Sequence, residues 1–329
     1  MSIRLVYSSS NDLSRGPKAP APRATSTQED SGLPQDAVYD DLRSQGLEAL
    51  RSGRMEQAHS HFEAAWRRAQ QLGNPTLEDR AFCNQSAVAI ELGTPLQNLG
   101  PLRRILVARQ NIENCRLAAY NIARIYELTK DYKKGLFYAR SARDLARLTK
   151  KPEAIAACHN MIGNLLLAES YFDEACAEYD RTLGMIGEEP SLRRALILEN
   201  VGYCRVVQGS PQEGFSLLFE SLRMLRRLEA HGFDFYPHLS LCYAYLEAGK
   251  PQRAMQHGLR ALVGAREMHN DDSVKYALYL LGDAARQSDA PDEAQRYLME
   301  LQQSYYPNSP EVVHFLMMVN VRQVINLKA

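Results

Sequence analysis

Asn160 and Asn164 lie four residues apart, so on a helix they sit one turn apart on the same face. An amide side chain offers two donors and an acceptor, and two in register can hydrogen-bond the backbone of an extended peptide whatever its side chains. The same residue type at such a position can equally bond a neighbouring helix. Other groups with chemical potential are less organised. No GxxxxGK[ST], HExxH or GxSxG motif occurs. His59 and His61 are two apart and would point in different directions on a helix, while His159, His238 and His257 stand singly and read as packing or surface residues. Cys83, Cys115, Cys158, Cys176, Cys204 and Cys242 form no CxxC pair and no metal-ligand spacing with histidine, and read as buried free thiols. No catalytic residue, metal site or cofactor is expected, and the chain is read as no enzyme.

Charge narrows the partners. The 329 residues carry 39 basic and 39 acidic side chains, net zero, which argues against a general binder of nucleic acid or anionic membrane. Arginine clusters at Arg103-Arg104, Arg193-Arg194 and Arg223 with Arg226-Arg227 read as solvated helix faces, the alternative being an anion site. No run of 18 apolar residues occurs, and the start MSIRLVYSSS lacks the apolar stretch of a signal peptide. A cytoplasmic location follows as the expectation.

The elements that must position these residues repeat. Gly46, Ala87, Ala123, Gly163, Gly202, Cys242 and Gly282 recur about every forty positions, and twelve residues after each come Ala58, Leu99, Gly135, Ala175, Gly214, Ala254 and Ala294. Between them lie turn sequences such as Ser52-Gly53-Arg54, Gly209-Ser210-Pro211 and Gly249-Lys250-Pro251. The pattern predicts an all-α α-solenoid of seven antiparallel helix hairpins over 36–308, each burying its apolar face against its neighbours. Residues 1–35, rich in Pro, Ser, Thr and Ala, are expected to form a disordered tail, with Ile3-Arg4-Leu5-Val6-Tyr7 as an extended-prone exception. Pro101 falls within the second helix of the second hairpin, so that helix should start late or kink. Residues 309–329 read as one more, apolar capping helix whose Phe315, Met318, Val321 and Ile325 are candidate oligomer contacts.

These slots resemble the tetratricopeptide-repeat family. Its unit carries a small residue late in the first helix, an alanine early in the second, a large residue one turn on and a further alanine. Here the first unit gives Gly46, Ala58, Phe62 and Ala65, and the fourth Gly163, Ala175, Tyr179 and Thr182. The family's minimal unit is 34 residues, so the longer period marks a long-unit member. The resemblance implies that first helices line a concave groove, which selects Tyr120, Arg124, Asn160, Asn164, Tyr203, Tyr243 and Tyr279 as peptide- or partner-binding residues. The lysine set of the family's chaperone-tail receptors is missing. Peptide-pheromone-sensing bacterial regulators are similar in unit length and asparagine-lined grooves, but carry an effector domain where this chain has its tail. The reading implied is a non-enzymatic protein-protein interaction scaffold or adaptor that holds a peptide or helix of a partner protein. The alternatives are a structural subunit that homodimerises through its C-terminal helix, or a stand-alone peptide-sensing regulator.

Overall fold

The computed structural model describes residues 36–320, 322 and 325–329, which fall into two compact units meeting in sequence at Leu165-Leu166. The expected tail of residues 1–35 lies outside the described residues, as does Val321. Among those described there are α-helices, short 3₁₀ turns and no strand. The N-terminal unit holds α1 (Ala37–Arg51), α2 (Met55–Gln71), α3 (Pro75–Glu91), α4 (Leu99–Ala108), α5 (Ile112–Leu128), α6 (Tyr132–Thr149) and most of α7 (Pro152–Ala168). The C-terminal unit holds the end of α7, then α8 (Phe172–Ile186), α9 (Leu192–Val207), α10 (Pro211–Arg227), α11 (Phe235–Glu247), α12 (Pro251–Glu267), α13 (Asp271–Gln287), α14 (Pro291–Tyr305) and α15 (Glu311–Met318).

Local chemistry explains where the helices begin and turn. Side chains of Asp36, Asn74, Asn111, Asp131, Ser191 and Asn270 accept hydrogen bonds from first-turn amides of the helices they precede. Pro75, Pro211, Pro251 and Pro291 occupy the opening turn of theirs, where a missing N–H is not needed. Every hairpin turn contains one left-handed residue: Gly53, Gly93, Lys130, Ser170, Gly209, Gly249 or Asp289.

The small slots are required by close approach. A Cβ at Gly46 would lie 2.6 Å from Cε1 of Phe62, and one at Gly214 would lie 2.8 Å from the carbonyl oxygen of Gly202. Paired helices therefore approach nearly backbone to backbone, and Ala58, Phe62 and Ala65 are fully buried as a result. Ala119, Ala142, Ala146 and Cys158 form one such core in the N-terminal unit, and Ala195, Leu198, Met224 and Leu225 another in the C-terminal unit. All six cysteines are buried and unbridged.

The second hairpin is the irregular one. A 3₁₀ turn over Leu96–Asn98 precedes α4, which starts late at Leu99 and is 10 residues long. Pro101 then falls in its first turn, where proline is tolerated.

The chain after Pro310 departs from expectation. The helix foreseen over 309–329 ends at Met318, and Val319 is extended with φ −103° and ψ 158°. Asn320 Oδ1 accepts from the amide of Arg322, which is helical again, so it caps a renewed helical stretch, whereas Asn326 Oδ1 accepts from the amide of Lys328 in a segment that is not helical. The local side-chain bond of Asn326 competes with helical ones. β-branched Val319 and Ile325 add a preference for extended backbone.

Candidate functional site

In the N-terminal unit the first helices α3, α5 and α7 are laced together by polar side chains. Asn114 accepts from Nε of Arg80 at 2.6 Å and donates to the carbonyl of Thr76 at 2.8 Å, and Asn121 donates to the carbonyl of Cys83 at 2.7 Å. Arg124 forms an ion pair with Glu91, both nearly inaccessible. Asn164 donates to Glu127 at 3.4 Å. Burial pushes the Glu127 carboxyl up from the usual range, against the opposing pull of Arg124. Tyr120 is half-buried over the core around Ala119 and Cys158. Asn160 is 6% exposed and its Oδ1 has no hydrogen-bond partner, which is also true of Asn121 Oδ1 on α5. The amide nitrogen of Asn84, on α3, is likewise buried and unpaired.

In the C-terminal unit the corresponding first helices carry the chain's own end. Lys328 donates to both carboxylate oxygens of Glu199 at 2.7 and 2.6 Å, and its ammonium lies 5.6 Å from the centre of the Tyr203 ring. Glu199 is fully buried and also accepts from Ser240 of α11. Asn326 donates to the carbonyls of Leu167 and Ala168, at 2.8 and 3.3 Å, and to Ser170 Oγ. Those carbonyls are the last of α7, which have no partner within their helix. The Tyr203 hydroxyl accepts from the amide of Leu327 at 3.3 Å, and that of Tyr276 donates to the carbonyl of Ala329 at 2.8 Å. Arg322 pairs with Glu247 at 2.9 Å and with Asp283 at 3.3 Å.

The tyrosines singled out in the sequence are therefore covered. Tyr203 meets Tyr243 edge-on with ring centres 5.3 Å apart, and the Tyr279 hydroxyl lies 2.7 Å from that of Tyr306. Burial pushes the hydroxyls of Tyr203, Tyr243 and Tyr279 up, that of Tyr243 to about 12. Of the candidate oligomer contacts, Phe315 and Met318 are 53% and 72% exposed, whereas Ile325 is half-buried.

Sequence reasoning placed Glu199 and Asp283 at groove slots without their basic partners, and missed the acidic residues Glu91, Glu127 and Glu247. A signal existed for Glu91 and Glu127: they lie 33 and 37 residues before Arg124 and Asn164, in both cases three short of the local repeat, so the same slot of one unit meets the same slot of the next. It also treated His238 and His257 as single residues, yet their Nδ1 atoms are in hydrogen-bond contact. The hairpin register that opposes Cys242 to Ala254 brings these two positions together.

Among the described residues no group of three or more His, Cys, Asp or Glu side chains is placed to hold a metal ion, and no helix is long and apolar enough to cross a membrane. Arg194, Arg223 and Arg227 line a cleft of about 280 Å³, but Glu188 and Glu220 share it and oppose an anion.

These helix pairs are the fold of tetratricopeptide-repeat proteins. The structure of NprR in complex with its cognate peptide NprX matches at TM-score 0.68 and 13% identity, covering 87% of this chain and 84% of that chain. The apo form of the quorum sensor NprR from B. thuringiensis matches at TM-score 0.66 and 12% identity, covering 85% and 80%. A tetratricopeptide repeat protein from Parabacteroides merdae ATCC 43184 matches at TM-score 0.52 and 17% identity, covering 88% and 100%. No family model and no curated protein matches the sequence.

Proposed function

We propose that the protein is a non-enzymatic interaction scaffold whose N-terminal unit holds an extended segment of a partner protein along α3, α5 and α7. The observation that carries this reading is the buried, unpaired Oδ1 of Asn160. A buried acceptor without a partner is costly by about 1–3 kcal/mol, and a ligand amide would satisfy it. Asn164 is one turn away, and Tyr120 offers an apolar body with a hydroxyl for side-chain anchoring. Arg124, engaged with Glu91, shapes the electrostatics of the face rather than supplying a free cation. The resemblance in fold to NprR, which was solved with its peptide, is consistent with this use.

Affinity capture with the full chain and with an Asn160→Ala/Asn164→Ala variant tests the reading. A protein retained by the first and lost from the second supports it; equal recovery by both removes this face from the binding surface.

A second reading rests on the exposed apolar pair Phe315 and Met318, through which copies of the chain would associate. Light scattering on the full chain and on Phe315→Glu/Met318→Glu decides it, since a dimer built on α15 falls to half its mass in the variant.

A further inference from the structure

The end of the chain is held in the C-terminal unit as a receptor holds a ligand. Residues 325–329 are not helical; Leu327 and Lys328 form a turn closed by the amide of Ala329 on the carbonyl of Asn326. Tyrosine hydroxyls on α9 and α13 contact their backbone at Leu327 and Ala329. The side chain of Asn326 reads the end of α7. The two cations of this segment, Arg322 and Lys328, meet acidic groups drawn from three successive first helices: Glu199 on α9, Glu247 on α11 and Asp283 on α13. Main-chain hydrogen bonds plus pockets for particular side chains are the usual elements of peptide recognition.

Glu199 makes the site selective. It is completely buried, and among its hydrogen bonds and ion pairs Lys328 is the cation. A buried carboxylate needs such a partner, so any occupant must present an ammonium or guanidinium at that register. Leu327, fully buried beside it, adds an apolar requirement.

We propose that the face formed by α9, α11 and α13 is a binding site for a basic peptide that makes a turn at the pattern Asn-apolar-Lys and carries a second cation six residues before the Lys, and that residues 325–329 are its displaceable resident. A partner segment carrying this pattern opens the site by exchange. An intramolecular ligand on a short tether acts at an effective concentration on the order of millimolar, so it masks the site from competitors of ordinary affinity. This inference is independent of the α3, α5 and α7 face, and its test does not involve that face.

The test uses full-length protein and a fluorescent peptide of residues 319–329, read by anisotropy. Lys328→Glu places a charge against Glu199 and should release the resident segment. The expected result is peptide binding at least tenfold tighter by Lys328→Glu than by the unaltered chain, with return to the weak level in the charge-exchanged Glu199→Lys/Lys328→Glu chain. A peptide carrying the same Lys328→Glu change should not bind the released site. Circular dichroism of Lys328→Glu should keep its helical signal and cooperative melt. Equal binding by both chains, binding by neither, or loss of the cooperative melt in Lys328→Glu would each overturn the proposal.

Discussion

Nδ1 of His238 on α11 lies 2.9 Å from Nδ1 of His257 on α12. One ring must donate and the other accept, so the contact requires at least one neutral imidazole. Burial, then the His257 imidazole, Arg260 and Arg226 hold His238 down to about 3, and burial with Arg260 and Arg226 holds His257 down to about 4. Phe219 and Tyr245 pack around His257.

A pH dependence follows. Because both folded values lie below the ordinary histidine value, the unfolded chain binds more protons between about pH 6.5 and 3, so stability falls as pH falls through that window. The contribution is fully present above about pH 6.5. Denaturant titrations at pH 7, 5 and 4 should show a smaller loss for His238→Phe/His257→Phe than for the unaltered chain. Parallel losses would show that the pair does not titrate with unfolding.

Close approach in the fifth hairpin predicts intolerance to a single methyl group. A Cβ at Gly214 would stand 2.5 Å from Cγ2 of Val206 as well as against the Gly202 carbonyl. Gly214→Ala should destabilise by about 1–3 kcal/mol, measured as a lowered urea midpoint with unchanged slope.

Arg124 and Asn160 should separate by experiment, although the sequence placed them together. Arg124→Ala leaves Glu91 without its buried partner and should cost about 3–5 kcal/mol of stability. Asn160→Ala removes an acceptor that has no partner and should cost no more than about 1 kcal/mol. Thermal melts of the two variants check this. A large loss in Asn160→Ala would make the residue structural.

Thiol chemistry should report unfolding. All six cysteines are buried. Desolvation pushes the thiols of Cys83 and Cys242 up, whereas a hydrogen bond from Cys204 holds that of Cys176 down. With access blocked, an aromatic disulfide reagent should react with all six at the rate of opening rather than of chemistry, and at once in denaturant.

Much of the fold was legible because backbone approach enforces it. Gly46 against Phe62 and Gly202 against Gly214 admit only small residues, so the twelve-residue offset survives in the sequence as a repeated pair. The late start of α4 was readable from Pro101 for the same kind of local reason. The candidate site was less legible, since its residues were chosen by slot while their partners come from elsewhere. Nothing local links Lys328 to Glu199, 129 positions away, and an apolar composition alone suggested one continuous helix where Val319 interrupts it and Asn326 turns the chain aside.

The brevity of α4 bears on motion. It buries Leu102 and Ile105 but leaves Val107, and Leu96 just before it, largely in water, whereas its neighbours α3 and α5 are each 17 residues long. At 10 residues α4 has fewer backbone hydrogen bonds to hold it than α3 or α5, so amide protons between residues 94 and 111 should exchange with solvent sooner than those of α3 or α5. The N-terminal unit thus contains a soft rung, able to breathe while the helices on either side stay closed.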